Sequence, residues 1–412
     1  MNSDILTELF LASPQQESDV ISMNLQQIIG AIRSHFGMDI AFISDFVEGR
    51  RVIKYVDSIG DRYATMLMED SLPLEESFCQ HVADGRLPQI IPDVSDHVLA
   101  KQLPLTKALS IGSYLGVPLK RLDGEVYGMF CCIGHQVDES LGVRDIALMK
   151  IFADLAGEQI AHQLEARQAQ VEMLSRIRSV MVPDKLSIVY QPIYTLKGNT
   201  VAGYESLSRF VTKPYRTPDV WFDEAAKVGL GEALEILAIE QAITGLQDFD
   251  SNVYISLNVS PESILSGAVN QVLSEEVAAR IVLEITEHSQ ITNYAAFRSA
   301  LEPLKQKGVR LAVDDAGAGY ASFQHILELG VDIIKLDISL IKGIDMDQAR
   351  SALAAALIAF AKATNTEVVA EGVETREEFK ELLRLGVDKV QGYYIGHPMP
   401  VEQALHYLPS MN

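Results

Sequence analysis

Apolar residues in the C-terminal half arrive in short blocks, each closed by an acid, a glycine or a polar turn. The blocks are Ser187–Tyr190, Ala202–Leu207, Val253–Leu257, Ile281–Ile285, Val309–Val313, Asp332–Leu336, Glu367–Ala370 and Lys389–Gln391. Near-continuous apolar runs of this length predict strands buried on both faces. Most are separated by segments of helical spacing and crossover length, such as Asn293–Lys307 and Gln348–Ala363. Strands interleaved with helices in this way predict a TIM-like βα barrel over residues 185–412. The first segments lack a proper crossover helix, so the barrel is expected to be irregular at its first strands.

The N-terminal half has a different rhythm. Val20, Ile21, Leu25, Ile28, Ile29 and Ile32 keep helical spacing, with Ser18 placed to cap them and residues 1–17 left as a leader. Strand-like runs follow at Asp39–Ser44 and Arg51–Val56, joined by a turn at Val47–Arg50. A short helix, Glu76–Ala83, ends at Gly85. Further strands are Gln89–Ile91, Ile111–Leu119 and Val126–Ile133, the last two joined through the turn Leu122–Glu125. This order predicts an α+β domain over residues 18–165. One long helix, Arg144 to about Val180, then leads out through a helical linker at 166–184. Its Ile160, Leu164, Val171 and Leu174 make a short heptad-like seam. The first half of this helix should pack on its own sheet. The second half, Glu165–Arg178, has no evident local partner, which predicts a parallel pairing with a second copy and hence a homodimer.

Composition narrows the function. A formal net charge of −22 over 412 residues excludes a nucleic-acid polymer as a partner through a basic face. The three cysteines, Cys79, Cys131 and Cys132, form no zinc-type spacing, and neighbours 131 and 132 in a strand point to opposite faces. So few cysteines suit a reducing, cytoplasmic setting. Cys79 reads as a buried small residue on a helix face rather than a reactive thiol. The N-terminus lacks the pattern of a signal peptide, and no apolar run reaches the length of a membrane span.

The chemistry gathers where the barrel strands end. Those positions are Glu205, Asn258, Glu284, Asp314, Asp315, Lys335, Asp337, Glu371 and Gln391. A βα barrel brings the C-terminal ends of its strands to one mouth. Acids crowded there raise one another's pKa unless a cation is shared among them. Hard oxygen donors without cysteine or an ordered histidine set point to Mg²⁺ or Mn²⁺. The adjacent Asp314 and Asp315 suit two such ions per site, an arrangement that cleaves phosphodiesters. Arg209 is placed to take a phosphate oxygen.

Two resemblances give these readings a frame. Ser77-Phe-Cys-Gln80, Leu87-Pro-Gln-Ile-Ile-Pro-Asp93, Gly112-Ser-Tyr-Leu-Gly-Val-Pro118 and Gly124-Glu-Val-Tyr-Gly128 resemble a GAF domain. That resemblance implies a regulatory module holding an unknown small molecule or none. From Lys185 on, the chain is similar to EAL-domain cyclic-di-GMP phosphodiesterases. The motifs are Tyr190-Gln-Pro-Ile193, Glu205-Ser-Leu-Ser-Arg209, Leu257-Asn-Val-Ser260, Glu284-Ile-Thr-Glu287, Asp314-Asp-Ala-Gly-Ala-Gly-Tyr320, Lys335-Leu-Asp337, Ala370-Glu-Gly-Val-Glu374 and Gln391-Gly-Tyr393.

The EAL resemblance implies metal ligands at Glu205, Asn258, Glu284, Asp314 and Asp315, with Glu371 supporting the second ion. It implies that Lys335 contacts the attacking water, that Gln391, Asp337 and Arg209 serve the ligand, and that Glu287 anchors the loop after Asp315. The implied reaction is hydrolysis of one phosphodiester bond of cyclic-di-GMP to linear pGpG.

This chain departs from the family pattern in two places. Ser206 replaces the signature alanine, and Ala316-Gly-Ala-Gly319 replaces Phe-Gly-Thr-Gly. The second change raises an alternative, a cyclic-di-GMP receptor with little or no turnover. A Schiff-base role for Lys335 is a third reading, disfavoured by the crowd of acids.

Overall fold

The computed structural model describes residues 14–60, 71–121, 124–182, 184–286, 291–316 and 321–408. The chain divides into two compact units, Met1–Val171 and Glu172–Asn412.

The first unit opens with helix α1 (Pro14–His35), which begins ahead of Ser18 and so leaves that residue inside the helix, not at its cap. Strands β1 (Ile40–Val47), β2 (Arg50–Ser58), β3 (Ser71–Pro73), β4 (Ile90–Ile91), β5 (Ser113–Lys120) and β6 (Val126–Gly134) form one sheet in the order β3-β2-β1-β6-β5-β4. All of its pairings are antiparallel. Helix α2 (Phe78–Ala83) is started by Ser77, whose side chain accepts the Gln80 N–H.

Strand alternation sorts this sheet into two apolar layers. Ala41, Ile43, Phe130 and Cys132 face α1 and the start of α3 (Val143–Val180). Phe42, Ile53, Tyr114, Met129 and Cys131 face the other way, towards Phe78 and Cys79 of α2. Cys131 and Cys132 therefore lie in different layers, as the alternation predicts.

The end of α3 corrects one expectation. The stretch Glu165–Arg178 was expected to lack a local partner, yet Ile177, with Val180 just beyond it, is buried against Leu186, Phe210, Trp221 and Leu234. Arg176 reinforces this seat with an ion pair to Glu224 at 3.0 Å. The partner residues come from later in the chain, so local sequence could not reveal them.

The second unit contains β7 (Leu186–Thr195), β8 (Thr200–Phe210), α4 (Pro218–Lys227), α5 (Gly231–Leu246), β9 (Tyr254–Asn258) and β10 (Ile281–Thr286). It continues with α6 (Tyr294–Gln306), β11 (Arg310–Ala316), α7 (Ala321–Leu329), β12 (Ile333–Leu336), α8 (Ile338–Ile341), α9 (Gln348–Thr364), β13 (Glu367–Ala370), α10 (Arg376–Leu385) and β14 (Lys389–Gln391). The strands close into a barrel in the order β10-β11-β12-β13-β14-β7-β8-β9. The expected irregularity is β7, which runs antiparallel to both β14 and β8. Inside the barrel, Ile193, Val282, Ala312, Ile333 and Val369 pack as one apolar layer with Tyr254. The Tyr254 ring also meets Arg310 at 4.5 Å and Lys389 at 4.9 Å. The candidate site residues lie towards the other, C-terminal ends of the strands. Among the described residues, no helix is long and apolar enough to cross a membrane.

Candidate active site

Asp314 and Asp315 are neighbours in β11, and regular alternation would send their side chains to opposite faces. The register between β11 and β12 shifts between Val313 and Ala316, which bulges the strand at the two aspartates. Asp315 also takes a left-handed φ of 58°, and its N–H is held by Asp314 Oδ1 at 3.0 Å. Left-handed backbone is uncommon for a side-chain-bearing residue, though aspartate tolerates it better than most. The distortion brings both carboxylates to one place. Oxygens of Asp314, Asp315 and Glu371 lie within 4.8 Å of one another.

Lys335, on β12, stands at the centre of the acids and is 1% exposed. Its ammonium lies 2.7 Å from Glu284, 2.7 Å from Glu371, 3.2 Å from Asp314 and 3.6 Å from Glu205. Burial works against the charge, but these four acids outweigh it and hold the pKa well above the ordinary lysine value. Lys335 is therefore a fixed ammonium, a poor fit for a Schiff-base nucleophile.

One lysine does not balance the cluster. Burial, opposed by Lys335 and aided by Glu205 and Asp314, pushes Glu284 up to about 8. Burial and the neighbouring Asp314 and Asp337 raise Asp315 to about 6. Burial pushes Glu371 well above the usual carboxylate range. These acids need more positive charge than the described residues supply, and hard oxygen donors of this kind fit Mg²⁺ or Mn²⁺.

Glu205, on β8, is tied to the same centre from the other side. Gln391 Nε2 donates to its Oε2 at 2.6 Å, and Asn258 Nδ2 to its Oε1 at 3.2 Å. Gln391 Oε1 is buried without a partner, an acceptor left open at the site. Gly392, the next residue, has φ 152°, and a Cβ there would collide with the backbone of Val373. Only glycine lets the chain turn so close behind Gln391.

The outlying candidates divide. Asp337 caps α8 by accepting the Ser339 N–H at 2.9 Å, and its charge bears on Asp315. Arg209 donates to the Ser208 carbonyl at 2.8 Å and pairs with no acid among the described residues. Glu287 and residues 317–320 of the altered loop lie outside the described residues.

A cavity of about 510 Å³ adjoins the cluster, lined by Asn258 and Glu284 together with Phe222, Glu235, Ser260 and Thr286. Glu235 is a residue that sequence reasoning missed. Its one oxygen accepts the Ser260 N–H at 3.0 Å, and the other is buried with no partner. Burial raises its pKa. It sits in α5 rather than at a strand end, and no local spacing marked it.

The model of the EAL domain family matches residues 175–398, and that of the GAF domain matches residues 22–160. The chain is 28% identical over 346 residues to the cyclic di-GMP phosphodiesterase NbdA of Pseudomonas aeruginosa, covering 78% of this chain and 43% of that protein. It is 27% identical over 248 residues to the cyclic di-GMP phosphodiesterase PdeF of Escherichia coli, covering 58% and 33%. The chain thus spans less than half the length of these curated relatives. Among solved structures, the PaMucR phosphodiesterase in complex with c-di-GMP matches with a TM-score of 0.50 at 29% identity, over 57% of this chain and 100% of that one. Barrel, mouth and matched residues agree: the chain belongs to the EAL domain family, and a GAF domain precedes its barrel.

Proposed function

We propose that the protein hydrolyses cyclic-di-GMP to linear pGpG in a reaction that requires Mg²⁺ or Mn²⁺. The observation that carries this reading is the convergence of Glu205, Glu284, Asp314 and Glu371 on Lys335, with Asp315 turned into the same group. Glu205, Asn258, Glu284, Asp314 and Asp315 would hold two ions, with Glu371 beside the second. The bound ions supply Lewis acidity and neutralise phosphate charge.

The protein's own groups do the rest. Lys335 keeps its proton and presents a fixed positive charge beside the attacking water. Gln391 orients Glu205 through its short hydrogen bond. Arg209 exchanges its neighbour's carbonyl for a phosphate oxygen, and the open oxygen of Glu235 accepts from the N–H edge of a guanine in the cavity. Water oxygen bonds to phosphorus, the P–O3′ bond breaks, and O3′ leaves with a proton, so the ring opens to the linear dinucleotide.

In this reading the GAF domain regulates the barrel, α3 pairs two copies, and the protein works in the cytoplasm, where its three unpaired cysteines stay reduced. The receptor alternative rested on the loop at 316–320, and no described residue favours it.

Product analysis tests the proposal. Full-length protein with Mn²⁺ or Mg²⁺ should convert cyclic-di-GMP to pGpG, and a chelator should stop it. Glu205→Ala should lose more than the roughly 10–100-fold typical of an outer-shell change at a metal site. Intact cyclic-di-GMP under every metal condition would sink the reading.

A further inference from the structure

One buried charge in the first unit has a guanidinium edge with no acceptor among the described residues. Arg51, on β2, is 1% exposed, and neither its Nε nor its Nη2 has a hydrogen-bond partner. It is the one buried arginine or lysine of that unit among the described residues. Its guanidinium lies 5.8 Å from the Phe42 ring centroid, on the sheet face that packs against α2. Four polar side chains of that layer are occupied with one another. Ser44 Oγ donates to Cys79 Sγ at 3.6 Å, Cys79 Sγ meets Cys131 Sγ at 3.8 Å, and Tyr114 Oη meets Cys131 Sγ at 3.0 Å. The nearest acid along β1, Asp45, pairs in register with Val52 and so belongs to the other face, where Lys54 approaches it at 3.9 Å.

A guanidinium taken out of water without an anion is costly, and folded proteins rarely keep one unpaired. We propose that Arg51 anchors a binding site for a small carboxylate with an apolar body. The free edge of Arg51 offers two parallel N–H groups, the fork that fits both oxygens of a planar carboxylate. One positive charge balances one negative charge, and among the described residues no other arginine or lysine is buried in this unit to match a dianion. The body of the ligand would meet Phe42, Ile53 and the stacked pair Phe78–Tyr114, whose ring centroids are 4.9 Å apart.

Binding is tested apart from hydrolysis, so the result does not depend on the chemistry proposed for the barrel. The single tryptophan, Trp221, lies in the second unit, so a calorimetric transition that its fluorescence misses belongs to the first. The probes are benzoate and hexanoate, with benzyl alcohol, hexanol and inorganic phosphate as controls. With the full-length protein, one of the carboxylates should raise the first transition by roughly 5 °C at saturating concentration. The neutral alcohols and phosphate should leave it in place. Arg51→Met should keep its ligand-free midpoint at or above that of the wild type, because an unpaired buried charge is gone, and should lose the carboxylate response. The proposal is overturned if neither carboxylate moves the wild type, or if Arg51→Met responds as the wild type does.

Discussion

Lys335 shows how a single residue changes meaning with its surroundings. In sequence it is a lysine at a strand end, open to nucleophilic and electrostatic readings. In the fold it is an ammonium that four acids share and that stays protonated. Lys335→Met would strip Glu284 and Glu371 of their nearest positive charge. Removing one partner of a buried pair commonly costs about 3–5 kcal/mol. Here the acids can take up protons instead, so a loss of roughly 2–3 kcal/mol is expected in metal-free urea unfolding near neutral pH. Added Mn²⁺ should recover part of it by supplying charge to the same oxygens. An unchanged urea midpoint would show that the ammonium does not hold the cluster together. The aspartates carry a related lesson. Their adjacency was visible in the sequence, but the bulge and the left-handed Asp315 that point both one way were not.

At the scale of elements, the strands that carry Asn258, Glu284 and Lys335 are legible because both of their faces are buried, leaving a near-continuous apolar run. β7 was read too short. The expected strand stops at Tyr190, whereas the strand runs on through Pro192, which sits opposite Tyr204. Contacts between distant elements were not legible at all. The Cys79–Cys131 approach spans 52 positions, and the Gln391–Glu205 bond spans 186.

One such contact secures the loop that follows β13 and carries Glu371. Glu378, at the start of α10, accepts N–H groups from Gly343, Glu374 and Thr375 while Thr375 caps its own N–H. Burial alone would raise its pKa, but these N–H bonds outweigh it and hold the carboxyl below its ordinary value of 4.5. A depressed folded pKa means the stabilisation is fully present above the unfolded value and is lost as pH falls through the folded one. Glu378→Ala should therefore destabilise the protein by about 2 kcal/mol near neutral pH. The wild-type and variant unfolding curves should converge in acid, below about pH 4. Curves that stay equally separated down to the lowest pH would show that the carboxylate charge is not the source.

Across the whole molecule, α3 is committed at both ends. Ile160 is buried with the apolar layer of the first unit, and Ile177 and Val180 with that of the second. Between them, Leu164 and Val171 are 62% and 60% exposed, seven residues apart on one helix. Two large apolar side chains at heptad spacing on an otherwise polar stretch are the seam that a second α3 would cover. The seam is short, so pairing should be sensitive to a single charge placed in it. In sedimentation velocity at micromolar concentration, the wild type should run as a dimer. Leu164→Glu and Val171→Glu should each run as a monomer with unchanged helical content, since both positions face solvent within the chain. A wild-type monomer, or a dimer that survives both substitutions, would remove α3 as the pairing element. Wild-type dimers dissociated by either charge would place the partner of α3 in the second copy rather than in the rest of its own chain.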